Sequence, residues 1–223
     1  MLEFLKEIDA QLLLFLNGAN NAYFDEFFWL VTGKFAWIPM ILALLFCSFR
    51  RNWKAGIVMV FAIAVVITLC DQVSSSIIKD AVCRPRPTRD SEISALVHIV
   101  NDYRGGQYGF VSSHAANSFG VAMFLLLVFR NKMFSWVIMS WAVILSYSRI
   151  YLGVHFPGDI ICGGLLGCLL ALLVYWAYKR LGKENNAWLV TPNNNNDATL
   201  LSWTTVGNML LLVVIAAIIY ATK

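Results

Sequence analysis

The sequence has 223 residues, of which 59% are hydrophobic and 13% are charged, and its mean hydropathy is +0.67. Soluble domains are about a quarter charged, so this composition excludes a soluble globular protein and predicts an integral membrane protein. The formal net charge is +4, but the basic residues are scattered among apolar segments, which excludes a nucleic-acid-binding surface.

The apolar runs predict an all-α fold, a polytopic membrane bundle of about six transmembrane helices with an N-terminal interfacial helix. Residues 1–33 form this N-terminal segment, in which Leu2 to Leu16 is amphipathic and too charged to span a bilayer. The whole chain, 1–223, is expected to be a single membrane domain, with residues 184–199 as a low-complexity linker before the last helix. The predicted spans cover residues 35–49, 55–79, 114–130, 133–147, 157–179 and 200–221.

Basic clusters follow the first, third and fifth predicted spans, so they share one side of the membrane if the spans alternate. By the positive-inside rule this side is the cytoplasm, and we expect a bacterial-type inner (cell) membrane location. The opposite ends of the spans then face the periplasm or the exterior. The clusters are Arg50-Arg51-Lys54, Arg130-Lys132 and Lys179-Arg180-Lys183.

Residues able to carry chemistry collect at the predicted outer side. Asp159 follows His155 by four residues, so its carboxylate can accept a proton from one imidazole nitrogen and leave the other nitrogen free to react. Lys and Arg side chains clamped together bind a multiply charged oxyanion such as phosphate, and helix N-termini add donors. The candidate set is Lys79, Arg86, Ser112, Ser113, His114, Arg149, His155 and Asp159.

These residues lie in three motifs that resemble those of the type 2 phosphatidic acid phosphatase family, which shares its site with vanadium haloperoxidases. Lys79 is separated by six residues from Arg86-Pro87, and Ser148-Arg149 is followed by His155 and Asp159 at the family spacing. The middle motif, Val111-Ser112-Ser113-His114, departs from the family's Pro-Ser-Gly-His at its first and third positions. The resemblance covers roughly residues 55–178.

The resemblance implies a role for each residue. His155 is expected to attack phosphorus and carry a phosphohistidine, and Asp159 to orient it. His114 is expected to protonate the leaving oxygen and then activate water. The phosphoryl oxygens would be held by Lys79, Arg86, Arg149, Ser112 and the N–H of Ser113. The cationic side chains supply the charge stabilisation that a metal gives elsewhere, so no metal and no cofactor are expected.

The expected activity is hydrolysis of a phosphomonoester or diphosphate on a membrane lipid. An undecaprenyl-type polyprenyl diphosphate is the first expectation by family analogy, followed by lipid A phosphate and then by phosphatidylglycerol phosphate or phosphatidic acid. Two other classes stay open: a non-catalytic binder of lipid phosphates and a vanadate-dependent oxidase-type enzyme. The sequence gives no oligomeric state.

Four polar residues outside the motifs have open interpretations. Asp71, inside the second span, is expected to partner a helix or a nearby serine, with a proton relay as the alternative. His98 is expected to be a surface loop residue. Arg84 and Arg89 either add charge for a pyrophosphate or glycolipid or are only solvated.

Overall fold

The computed structural model describes residues 2–50, 52–184 and 195–223, and every regular element in these ranges is helical. A π-helical segment, Gln72–Ile78, joins two α-helical pieces, so that Trp53–Val82 is one continuous helix of 30 residues. The helices are α1 (Leu2–Gly18), α2 (Ala22–Val31), α3 (Ile38–Phe49), α4 (Trp53–Asp71), α5 (Lys79–Val82), α6 (Ser113–Phe129), α7 (Lys132–Tyr151), α8 (Pro157–Glu184) and α9 (Asn195–Thr222).

Four helical segments of the described chain are long and apolar enough to cross a membrane, namely Trp53–Val82, Lys132–Tyr151, Pro157–Leu181 and Asn195–Thr222. Two shorter apolar helices, α3 and α6, lie beside these four segments in the bundle. The 17 residues of α6 are about 26 Å long, close to the hydrocarbon thickness of a bilayer. The predicted all-α polytopic bundle is confirmed.

Helices α6 and α8 form the closest contact of the bundle through small residues one turn apart. A Cβ on Gly163 would lie 2.5 Å from the Ser112 carbonyl oxygen, and one on Gly167 would lie 2.1 Å from the Ala116 carbonyl oxygen. This small-xxx-small pattern lets two membrane helices approach backbone to backbone. As a result, the Ser112 N–H donates to the Asp159 carbonyl oxygen at 3.0 Å, and the two helix N-termini meet at one end of the bundle.

The last helix begins earlier than predicted. Asp197 in the first turn of α9 pairs with Arg50 at the end of α3, with 2.7 Å between carboxylate and guanidinium. An acid is favourable in the first turn of a helix, so α9 starts at Asn195 inside the segment predicted as a linker. Residues 185–194 of that predicted linker lie outside the described residues.

The N-terminal helix α1 packs on the protein with one face. Asp9, Leu13 and Asn17 are spaced at four-residue intervals on this face, and Leu13 is fully buried. The Asn17 amide donates to the carbonyl oxygens of Ile150 (3.3 Å) and Tyr151 (2.7 Å), which tie α1 to the end of α7. The opposite face exposes the large apolar side chains Phe4, Leu5, Ile8, Leu12 and Phe15, as a helix lying in a membrane interface requires.

Candidate active site

The predicted His155–Asp159 pair forms where the chain enters α8. Pro157 opens the helix, and Asp159 lies in its first turn, where a carboxylate is favourable. Its Oδ2 accepts from the Phe156 N–H at 3.0 Å and lies 3.3 Å from His155 Nδ1. Both side chains are buried, His155 at 1% and Asp159 at 0% exposure, so their geometry is fixed by the helix start.

The neighbours of His155 determine its tautomer. Arg86 Nη1 lies 3.2 Å from His155 Nε2, and a guanidinium can only donate, so Nε2 carries the lone pair and Nδ1 carries the proton facing Asp159. Burial, together with the cations Arg86, Arg149 and Lys79, lowers the pKa of His155 well below its ordinary value of 6.5. The imidazole is therefore neutral near pH 7, and Nε2 is its nucleophilic atom.

A pH titration of the imidazole checks this state. A histidine with an ordinary pKa would be half protonated at about pH 6.5, but His155 should keep the nitrogen chemical shifts of the neutral Nδ1–H form when the pH is lowered from 8 to 5.5. The measurement is nitrogen NMR of protein labelled at its three histidines, with the His155→Gln spectrum for assignment. Protonation of His155 near pH 6.5 would contradict the assigned environment.

Arg86 is held in place by backbone groups around the imidazole. Its Nε donates to the Tyr108 carbonyl oxygen at 3.1 Å, and its Nη1 donates to the Val154 carbonyl oxygen at 3.2 Å. Gly105 has φ +67°, and a Cβ there would lie 2.8 Å from Arg86 Nη1. The glycine therefore serves both the left-handed backbone and the close passage of the guanidinium.

Arg149 is a buried cation whose Nε makes no hydrogen bond to the described residues. Its Nη1 donates to Thr32 Oγ1 at 2.6 Å, and its Nη2 donates to the Tyr103 hydroxyl at 3.1 Å. Its Nε is buried and has no hydrogen-bond partner among the described residues, so it is available to an oxyanion. Thr32 and Tyr103 could not be identified from the sequence, because they are distant in the chain and have no motif spacing to Arg149.

Lys79 reaches across from the second span to the middle motif. Its Nζ donates to Ser113 Oγ at 2.7 Å, and Ser75 Oγ lies 2.8 Å from the same oxygen. Ser75 in turn donates to Asp71 at 3.4 Å, which confirms the interpretation of Asp71 as a serine partner. Ser113 opens α6 and is not among the residues with positive φ, so its Cβ fits where the family has glycine.

Ser112 and His114, from the same motif, take different positions. Ser112 caps α6: its fully buried hydroxyl accepts from the Ala115 N–H at 3.4 Å, so the hydroxyl is already engaged in the helix start. His114 is the second residue of α6, and its side chain is exposed. No hydrogen bond of its imidazole is found in the described part of the chain, so it is free to transfer a proton.

Two residues that do not define the motifs make contacts that the sequence did not indicate. Arg84 is not simply solvated: its Nη1 is 3.0 Å from Asp159 Oδ1, and its Nη2 is 2.8 Å from Asp9 Oδ2. His98 is held within the structure, with Nε2 2.8 Å from Asp25 and its backbone N–H donating to Asn17. Arg89 remains exposed.

The assembled geometry is suited to phosphoryl transfer at a membrane surface. It places a neutral imidazole beside a carboxylate, with three cations and an exposed second histidine near the same end of the bundle. Cationic donors of this kind bind the oxygens of a phosphoryl group, and an imidazole can transfer a proton.

Comparisons with known proteins agree with this class of site. Residues 53–183 match the sequence model of the PAP2 superfamily, so the chain belongs to that family. A lipid A 4'-phosphatase of Bacteroides thetaiotaomicron is 44% identical over 183 residues, 81% of each protein. An undecaprenyl-diphosphatase of Sulfolobus acidocaldarius is 32% identical over 140 residues, covering 63% of this chain and 62% of that protein.

A solved structure shares the fold. The PAP2-type phosphatidylglycerolphosphate phosphatase from Bacillus subtilis superposes with a TM-score of 0.59 at 24% identity, covering 81% of this chain and 89% of that one. At this identity the likeness concerns the fold alone. The family match and the 44% identical lipid A 4'-phosphatase identify the protein as a membrane lipid phosphatase, a hydrolase of phosphoric esters.

Proposed function

We propose that this protein removes a phosphate from lipid A at the outer face of the membrane, through a phosphohistidine on His155. The observation that carries the chemistry is the buried His155–Asp159 pair, whose bare Nε2 lies beside the guanidinium of Arg86. A neutral imidazole next to a cation can attack a phosphoryl group that the same cation binds.

The reaction follows from these positions. Lys79, Arg86 and the free Nε of Arg149 bind the phosphoryl oxygens, and His155 Nε2 attacks phosphorus as the bond to the sugar oxygen breaks. His114 gives its proton to the departing oxygen. A water molecule then loses a proton to His114 and attacks the phosphohistidine, which releases inorganic phosphate and restores Nε2.

A lipid substrate is supported by an apolar cavity within the bundle. It has a volume of about 430 Å³ and lies between α3, α4, α6, α7 and α9, with Trp37, Met40, Leu125 and Trp141 in its lining. Lys34 also lines the cavity, and it lies two residues after Thr32, which contacts Arg149. A cavity of this size and polarity is suited to an acyl chain, with the polar part of the lipid toward the cations.

The relatives revise the order of substrates expected from the sequence. Undecaprenyl diphosphate was the first expectation, but the lipid A 4'-phosphatase is the more similar relative, at 44% against 32% identity and over a larger share of both proteins. Lipid A is therefore the favoured substrate, with the 4'-phosphate as the position attacked. An outward-facing site is supported by Arg50, which lies before the start of α4, whereas Lys79 follows the far end of that helix.

Phosphate release from a lipid panel tests the proposal. Purified protein in detergent, without added metal and with EDTA in a parallel sample, should release phosphate fastest from lipid A and should yield the 4'-dephosphorylated product by mass spectrometry. The panel also contains undecaprenyl diphosphate, phosphatidylglycerol phosphate and phosphatidic acid. Faster release from undecaprenyl diphosphate would transfer the assignment to that substrate, and loss of activity in EDTA would contradict catalysis by the cationic side chains alone.

A further inference from the structure

We propose that Arg84 and Asp9 are positioning residues, through which the N-terminal helix α1 holds the His155–Asp159 pair in its reactive geometry. The inference rests on the proposed function, because it assigns these two residues a task in phosphohistidine formation. Neither residue is a defining position of the three motifs, although Arg84 is one of the six residues between Lys79 and Arg86. Each acts through Asp159 and the start of α8.

Arg84 bridges two carboxylates beneath the imidazole. Its Nη1 contacts Asp159 Oδ1 at 3.0 Å, and its Nη2 contacts Asp9 Oδ2 at 2.8 Å. The guanidinium also lies over the ring of Phe156, 3.9 Å from its centroid. The side chain is 19% exposed and Asp159 is 0% exposed, so the ion pair is largely shielded from water.

Asp9 brings α1 to the first turn of α8. Its Oδ1 accepts from the Gly158 N–H at 2.7 Å, one of the helix N-terminal donors that lack partners within the helix. A Cβ on Gly158 would lie 2.7 Å from Asp9 Oδ2, so the glycine permits this approach. On the same face of α1, Asn17 donates to the carbonyl oxygens of Ile150 and Tyr151.

The two contacts of α1 therefore fix both ends of the turn that carries His155. Asn17 holds the end of α7, and Asp9 holds the start of α8. The turn between them contains the nucleophile. Asp9 lies outside residues 53–183, the part of the chain that matches the family, so this support comes from a helix outside the shared region.

The two oxygens of Asp159 have separate partners, and this division makes Arg84 important for the imidazole. Oδ2 faces His155 Nδ1 and the Phe156 N–H, whereas Oδ1 faces Arg84. Without the guanidinium, a fully buried carboxylate would lose its charged partner and would either rotate or take up a proton. Rotation would remove the acceptor of His155 Nδ1–H, and protonation would remove the negative charge that strengthens this hydrogen bond.

Steady-state kinetics of substituted proteins give the first test. Arg84→Gln should lower kcat by about 10- to 100-fold, the range typical of residues that orient a reactive group, with KM nearly unchanged. Asp9→Asn should lower kcat less, and Arg84→Lys should restore part of the loss. Matched controls are Arg89→Gln, an exposed arginine on the same loop, and Glu7→Gln, an exposed acid on the same helix. Both controls should retain kcat.

A double-substitution comparison separates positioning from general stability. If Arg84 acts through Asp159, adding Arg84→Gln to an Asp159→Asn protein should cost little further activity. A merely structural role would give the same loss of kcat in both backgrounds. Multiplicative losses would therefore overturn the proposal, and so would full kcat in folded Arg84→Gln protein.

The second test does not depend on turnover. Nitrogen NMR of protein labelled at its three histidines reports the tautomer of His155 directly. The wild-type protein should show one neutral form with the proton on Nδ1. Arg84→Gln should keep this tautomer, because Arg86 still donates to Nε2, but should shift the Nδ1–H signal because its hydrogen bond to Asp159 is weakened, with Arg84→Lys between the two. An unchanged His155 signal in Arg84→Gln would overturn the proposal. If the wild-type protein hydrolyses no lipid, the proposed function fails, but this spectrum still decides whether Arg84 positions the imidazole.

Discussion

His155→Ala protein will release phosphate from lipid A at least about 1000-fold more slowly than the wild-type protein, because it lacks the nitrogen that attacks phosphorus. His114→Ala protein will also be slow, but for a different reason: the leaving oxygen finds no proton. With an aryl phosphate, whose leaving group needs little protonation, His114→Ala should still form the phosphohistidine and accumulate it. The measurement is acid-labile, base-stable protein-bound phosphate after rapid quenching.

The contrast between the two variants is the control. Both should elute like the wild-type protein in size-exclusion chromatography, since neither imidazole is needed to hold α6 or α8 in place. Covalent phosphate on His155→Ala protein would refute the assignment of His155 as the nucleophile. If His114→Ala retained full turnover of lipid A, the proton would have to come from another group.

Gly167→Ala will destabilise the folded protein by about 1–3 kcal/mol, the usual cost of overpacking a tight interface. The new Cβ would lie 2.1 Å from the Ala116 carbonyl oxygen, so α6 and α8 must separate. Because this contact also aligns the N-termini of the two helices, activity should fall with stability. The fraction folded in increasing amounts of denaturing detergent measures the first effect, and phosphate release measures the second.

Gly207→Ala is the matched control within the same chain. Gly207 lies in α9, and a Cβ there would meet nothing within 4 Å. Replacing a helical glycine by alanine at an open position should leave stability unchanged or raise it slightly. Equal destabilisation by the two substitutions would mean that the close contact between α6 and α8 does not explain why α8 has glycine at position 167.

The sequence was sufficient to predict that the three motifs lie at the same end of the bundle. Alternation of the spans and the distribution of basic residues bring Lys79, His114 and His155 to the same side without any knowledge of packing. The resemblance extends to residues 55–178, close to the matched range of 53–183. The roles that the resemblance implies for the site residues stay predictions, and the kinetic experiments test them.

The contacts that orient the site were beyond sequence reasoning. The Arg84–Asp159 pair joins residues 75 positions apart, and Asp9 lies a further 75 positions before Arg84. Such pairing depends on how α1 lies across the bundle, which amphipathicity does not determine. The tautomer of His155 likewise follows from the approach of Arg86 to Nε2, and only the packed structure gives that distance.

The π-helical segment before Lys79 has a consequence for how this enzyme can change during evolution. The Lys79 N–H donates to the Ser74 carbonyl oxygen, five residues back, instead of to the residue four back as in an α-helix. This wider turn sets the direction in which Lys79 points around the helix axis, independently of the membrane-embedded part of α4. Loss of one residue between Asp71 and Lys79 would turn the lysine by about 100° around the helix axis, away from Ser113. Substitutions on the lipid-facing side of α4 do not change that direction, so the helix can adapt to a new lipid environment while Lys79 keeps its contact with Ser113.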